Sequence, residues 1–437
     1  MGIFELTKIK SGGCACGKAH INPIGEILVG AGVIKDLPSV LCRMGVKKPF
    51  VLSDINTYKA AGEYVCHVLE QGGVAYKSFT VDEEMPEPDE KTVGSAVMNY
   101  DLSCDAVIAV GSGVINDTGK ILAATANKPY IIVGTAPSMD GYASATSSMT
   151  RGGLKISLPS KSADVIIGDL DILKNAPMHM LVAGLGDMLA KYISVCEWRI
   201  ANLITGEYYC EQIASLVRTA LKKCVDNAKG LLERNEEAVK AVFEGLVIGG
   251  IAMTYAGVSR PASGVEHYFS HVWDMRGVEF GEKVELHGIQ CAVGTLLAAK
   301  YYEKLKSIKP DKKKALDYAA AFDYNAYSAL LTEFLGKGAK SMIELEKKEG
   351  KYDLDSHAKR LDIILENWNT ILKIIDEEIP SGAELDELFT LIGAPKTVLE
   401  IGIDPATLPF TFKATKDIRD KYVLSRLCWD LGIIDEI

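Results

Sequence analysis

Three of the chain's seven histidines fall within 21 residues: His267 and His271 in "SRPASGVEHYFSHVWD", and His287 in "KVELHGIQ". If the first segment is helical, His267 and His271 share a face, four residues apart, where an imidazole pair can chelate a divalent ion. A catalytic divalent site usually takes three protein ligands and keeps one position open. The third ligand could be a carboxylate far away in the chain. Asp187, set among apolar residues and glycines in "LVAGLGDMLAKYISV", is a candidate, because a buried carboxylate is costly unless it is paired or binds a cation. Pairing with Lys191 or exposure at a kink would explain Asp187 equally well. Cys14, Cys16 and His20 form a second group, in "CACGKAH". It is not expected to be a metal site: no fourth ligand is near in sequence, and CxC is an uncommon structural-zinc spacing.

A second kind of chemistry is suggested by "VIAVGSGVINDTGK" (107–120), which reads as strand, glycine turn and helix. Bare N–H groups at such a helix start can hold a phosphate, and glycine lets it approach. The dinucleotide fingerprint G-x-G-x-x-G is incomplete, because Asn116 stands at the third glycine. Asp54 ends an earlier strand, where an acidic residue can bond a ribose hydroxyl and disfavour a 2′-phosphate; it could equally be a helix-capping aspartate.

The elements that must position these residues are legible. Before about residue 170, short apolar runs (25–33, 48–54, 74–81, 105–113 and 128–138) alternate with helix-like segments such as 57–73 and 91–100. That pattern predicts a parallel sheet covered on both faces. Beyond about residue 173, 3.6-residue periodicity takes over (179–204, 207–232, 236–258, 286–306 and 359–378) and predicts an all-helical domain. The expected organisation is therefore a Rossmann-like domain over 1–173 and a helical domain over 174–437, with Pro177 as punctuation. The Lys- and Glu-rich stretch 303–361 reads as solvated helix surface and loop.

Composition excludes several classes. At 437 residues with net charge −10 and no basic stripe, nucleic acid is not expected as a partner. The start "MGIFELTKIKSGGC" shows no sustained apolar run of the signal-peptide kind. The apolar run "GLVIGGIAMTYAGV" (245–258) falls short of the roughly 20 residues that cross a bilayer, and reads as a core helix. Ten cysteines without a CxxC pair read as reduced thiols. A cytoplasmic protein without a membrane span is the expectation.

"GSGVINDTGK" resembles the glycine-rich signature of the iron-containing alcohol dehydrogenase and dehydroquinate synthase-like superfamily, with Ser112 in place of one glycine. "GTAPSMDGYAS", "GLGDMLAKY", "SRPASGVEH", "HGIQ" and the tail "GAPKTVLEIGID…ATKDIRDKY…LGIIDEI" resemble its sn-glycerol-1-phosphate dehydrogenase branch. The resemblance implies a Rossmann-like domain followed by a helical one, with the active site in the cleft between. It implies Asp187, His267 and His287 as metal ligands, with His271 as a pocket neighbour, and zinc, nickel or iron as the ion. It places Gly111, Ser112, Gly113, Asp117, Thr135 and Ser138 at the cofactor. Asp54 falls at the position that favours NAD(H) over NADP(H). Asp140 falls near the substrate hydroxyl, where it or His271 could relay a proton. The activity implied is interconversion of sn-glycerol 1-phosphate and dihydroxyacetone phosphate, a step of phospholipid biosynthesis, in a homo-oligomeric enzyme. Arg260 and Lys155 are the candidates for the substrate phosphate. Rival readings are a glycerol or other polyol dehydrogenase, a sugar-phosphate cyclase resembling dehydroquinate synthase, and a non-catalytic binding protein of the same fold. Glutamate stands in the cyclases where this chain has Asp187.

Overall fold

The computed structural model describes Glu5, Thr7 and residues 14–152 and 154–437. Most of the "MGIF…SGG" start lies outside the described residues. The chain forms two compact units, one of 1–188 with 215–258 and one of 189–214 with 259–437.

The first unit is built on six parallel strands: β1 (Glu26–Gly30), β2 (Pro49–Asp54), β3 (Lys77–Val81), β4 (Ala106–Gly111), β5 (Tyr130–Gly134) and β8 (Val165–Asp169), in the order β1-β8-β5-β4-β2-β3. Strands β2, β4, β5 and β8 are buried along their whole length, which is why they read as unbroken apolar runs. At one sheet edge, β3 carries exposed Lys77 and Ser78. A separate antiparallel hairpin pairs β6 (Thr146–Arg151) with β7 (Leu154–Pro159). Neither β8 nor the hairpin is among the runs expected from the sequence. The run 25–33 is a strand only to Gly30, since the Asp169 carboxylate at the end of β8 takes the Gly32 and Ile34 N–H groups and turns the chain there.

The helix Glu236–Ala256 belongs to this sheet unit, so the expected single boundary near residue 173 does not describe the fold. The reason is packing. Gly134 on β5 and Gly168 on β8 leave room for the Phe243 ring, which a Cβ would meet at 2.9 and 2.3 Å. Asn235 caps the helix through the Glu237 and Ala238 N–H groups, and Gly257 at φ 72° ends it. At 21 residues it is longer than the apolar run suggested and apolar enough to cross a bilayer, yet it is a core helix, 83% buried over its apolar window.

The second unit is built of helices and connecting loops, with no strand among its described residues. Its long helices include Lys191–Thr205, Val265–Phe280 and His287–Lys306. The Lys/Glu-rich region is more than solvated surface. Its helices Tyr324–Leu335 and Gly338–Glu349 bury Tyr327, Leu331, Leu335, Ala339 and Met342 against Val272 and Ala414. The periodic segment 359–378 is two helices, Leu354–Glu366 and Trp368–Glu378, broken at Asn367.

Candidate active site

In the first unit, a parallel sheet puts the carboxyl ends of its strands at one edge, and the sequence-predicted cofactor residues gather there. Gly111 ends β4 level with Gly134 at the end of β5. A Cβ on Gly111 would sit 2.5 Å from the Ile115 side chain, so the turn into the helix Gly113–Ala126 can be this tight only with glycine. At Gly113 a Cβ would find only the Met139 Cγ, 3.8 Å away, which leaves the helix start open to a close-approaching anion. Ser112 does not cap the helix with its side chain. Its Oγ lies 2.6 Å from the Ser138 Oγ, and it accepts a hydrogen bond from the Tyr142 hydroxyl at 3.2 Å. Thr135 is held by its N–H on the Gly111 carbonyl (3.1 Å). Asp54 ends β2 and caps the short helix Ile55–Thr57, accepting from the Thr57 N–H at 2.8 Å.

The Asp-Thr-x-Lys part of the signature does structural work. Asp117, expected to face the cofactor, instead spends its carboxylate on the Ser148 N–H (3.0 Å) and on Lys120 (3.4 Å), which ties the hairpin to the helix. Burial pushes the Asp117 carboxyl up and the Lys120 amine down from their ordinary values. The Lys120 Nζ, fully buried, donates to the Gly141 carbonyl (2.5 Å), the Ser144 Oγ (3.0 Å) and the Thr146 carbonyl (3.0 Å). Asn116, at the missing third glycine, donates to the same Gly141 carbonyl and accepts from the Tyr130 hydroxyl. These bonds fix the turn Asp140–Ala143, whose first N–H donates to the Asp187 Oδ2 at 2.9 Å. Asp187 is fully buried, not exposed at a kink, and Asp140 is half-buried. Lys155 is exposed on β7.

In the second unit, the helices bearing the histidines approach closely at Gly294, where a Cβ would lie 2.6 Å from the Glu266 carbonyl oxygen. The His267 and His287 rings are 5.0 Å apart, and His271 is 6.2 Å from His287. The tautomers follow from the hydrogen bonds. Asp274 and the Glu285 carbonyl both accept from the Gln290 amide, so its Oε1 faces Ser270 and takes the Ser270 hydroxyl proton (2.5 Å). Ser270 must then accept from the His287 Nδ1, 2.9 Å away, which leaves the His287 Nε2 lone pair free to ligate. The His267 Nδ1 likewise donates to the Glu266 Oε1 (2.8 Å), which also accepts the Gly264 N–H. Such partners on the far nitrogen are the usual support of metal-ligating histidines. The donor set therefore fits a divalent ion.

Cys291, one turn beyond His287, completes a group that sequence reasoning missed. Its Sγ is 3.5 Å from the His287 Nε2, and the ligand atoms of His267, His287 and Cys291 lie within 4.8 Å of one another. The i, i+4 spacing of His287 and Cys291 was the available signal. Around His271, burial first and then His287 and Arg419 hold the imidazole well below its ordinary pKa, so it is neutral here. Arg260 is fully buried and forks onto Glu207 at 2.7 and 2.5 Å, with a third bond to the Tyr422 carbonyl. Its guanidinium holds the loop before the histidine helix, which is a different task from the phosphate binding expected of it.

Comparison with known proteins bears on this arrangement. The iron-containing alcohol dehydrogenase family matches residues 28–177. A glycerol-1-phosphate dehydrogenase [NAD(P)+] of Halalkalibacterium halodurans is 32% identical over 69% of this chain and 76% of its own. The chain belongs to the glycerol-1-phosphate dehydrogenase branch of the iron-containing alcohol dehydrogenase family. A second member, from Bacillus licheniformis, is 26% identical across 99% of this chain and 96% of its own. Among solved structures, the sulfoacetaldehyde reductase of Bifidobacterium kashiwanohense in complex with NAD+ superposes with a TM-score of 0.60 at 16% identity, covering 96% of this chain and 98% of that one. At that identity the likeness shows the family's fold alone.

Proposed function

We propose that this protein interconverts sn-glycerol 1-phosphate and dihydroxyacetone phosphate with NAD(H) or NADP(H), and that Asp187, His267 and His287 hold its divalent ion. The observation that supports the ligand reading is the pair of imidazoles whose Nδ1 atoms both make hydrogen bonds, the arrangement that usually supports metal-ligating histidines. The relatives' shared name carries the substrate reading. When bound, the ion supplies Lewis acidity at the substrate's C2 oxygen, and the nicotinamide supplies or takes the hydride.

The chain's own residues do the rest. The Gly111–Gly113 turn and the helix start behind it take the cofactor's pyrophosphate. Thr135 and Ser138 line that turn, and Asp54 meets the adenosine ribose, which favours NAD(H). The half-buried Asp140 carboxylate, or neutral His271, passes the alcohol proton to solvent. Arg419 supplies the positive charge for the substrate phosphate, and Lys421, whose Nζ donates to the Ser263 carbonyl (2.8 Å) and whose amine burial holds down to about 7, joins it when protonated. In this reading exposed Lys155 is an auxiliary cation, and Arg260 orients the loop.

The test is metal content together with NADH oxidation on dihydroxyacetone phosphate, for wild type and His267→Ala. The variant is expected to lose the ion and at least about 100-fold in turnover together. Full turnover without the ion would remove the ligand assignment. A wild type that prefers unphosphorylated glycerol would favour the polyol dehydrogenase reading.

A further inference from the structure

The segment Cys14–His20 has no helix or strand and almost no apolar content. Ala15, Gly17, Lys18 and Ala19 are exposed; only Cys14, Cys16 and His20 turn inward. Gly17, at φ 78°, closes a turn with its N–H on the Cys14 carbonyl (2.9 Å), which brings the two cysteines to one side. The Cys16 Sγ lies 3.3 Å from the His20 Nε2, and the ligand atoms of Cys14, Cys16 and His20 are all within 4.8 Å of one another. The His20 ring packs against Tyr255, near the end of the core helix, at 5.6 Å. A tetrahedral zinc ion spaces its sulfur and nitrogen ligands about 3.5 Å apart, given bonds of about 2.3 and 2.0 Å.

We propose that Cys14, Cys16 and His20 bind a second, thiophilic divalent ion of the zinc class, distinct from the ion at the histidine helices. Both thiols deprotonate on binding, and the ion pins the N-terminal segment to the Tyr255 end of the core helix. Its role is structural. Counting only ligands near in sequence argues against this segment, but the turn at Gly17 and the inward His20 give three converging donors, with the fourth position left to water or another donor.

Cobalt substitution of the full-length protein tests this, with cobalt per chain and thiolate-to-cobalt charge-transfer absorption as readouts. The wild type is expected to hold two ions per chain. His267→Ala should keep one ion and the full charge-transfer band. Cys16→Ser should lose one ion and the band while retaining turnover on dihydroxyacetone phosphate. His20→Cys, which restores a donor, should keep both ions and strengthen the band. One ion per chain in the wild type, lost in His267→Ala, would overturn the proposal. So would a band that survives Cys16→Ser and disappears in Cys291→Ala, or chelator-insensitive linkage of Cys14 to Cys16 as a disulfide.

Discussion

His287 shows how much a single hydroxyl can decide. The lone pair it would offer a metal ion is set by a directed chain from Asp274 through Gln290 to Ser270. Ser270→Ala removes the acceptor that fixes the tautomer, without touching an ion ligand. Metal affinity is expected to fall roughly 10- to 100-fold, by chelator competition, while the fold persists; unchanged affinity would mean that Ser270 does not orient the ring. Of the residues singled out from sequence, the histidine pair and the glycine turn are where the spacing pointed, because helical periodicity and strand-to-helix turns are local properties. Asp117 and Arg260 have partners within the chain that the sequence did not show, for a common reason. A charged side chain written in a motif does not say whether its partner is a ligand or another part of the chain, and here Ser148 and Glu207 take them.

The next scale is the helix pair. Gly294 permits the backbone of His287–Lys306 to pass against Glu266, and with it the 5.0 Å approach of the two imidazoles. Gly294→Ala would place a methyl group 2.6 Å from a carbonyl oxygen. The expected cost is about 1–3 kcal/mol of stability from overpacking, seen as a lower Tm, together with weaker metal binding as the helices part. A variant with wild-type Tm and metal affinity would show that the contact yields without consequence. On the other unit, β8 escaped sequence reading because "DVIIGD" is short and follows a hairpin, whereas β2, β4 and β5 announced themselves by alternation with helices. The strand order, which sets β8 between β1 and β5, depends on pairings 30 to 140 residues apart.

Across the molecule, two compact units are each drawn from two separate stretches of chain. Within the helical unit, the region expected to be solvated carries an ionic cluster. Glu346 is buried beside Asp417, and burial first, then that neighbouring charge, pushes its carboxyl up to about 8. The folded chain therefore keeps a proton on Glu346 that the unfolded chain has released above about pH 4.5. Stability attributable to this group is full below that pH and is lost as pH rises toward 8. Glu346→Gln is expected to flatten that decline and to raise unfolding stability at pH 8 by on the order of 1–3 kcal/mol. Parallel pH dependences of denaturant unfolding in the two proteins would contradict the assignment.

By itself, the amino-acid order determined the two structural classes, the glycine turn and the shared helix of His267 and His271, since each rests on periodicity or spacing within a few turns of chain. Tertiary structure alone decided which side chains became ties within the fold: Lys120 on Gly141, Arg260 on Glu207, Phe243 on two strand glycines. It also put Cys291 beside His267 and turned Cys14, Cys16 and His20 toward a common point. A charged or thiol side chain takes whichever partner the packed chain brings within reach, and for most of these residues that partner is dozens of positions away.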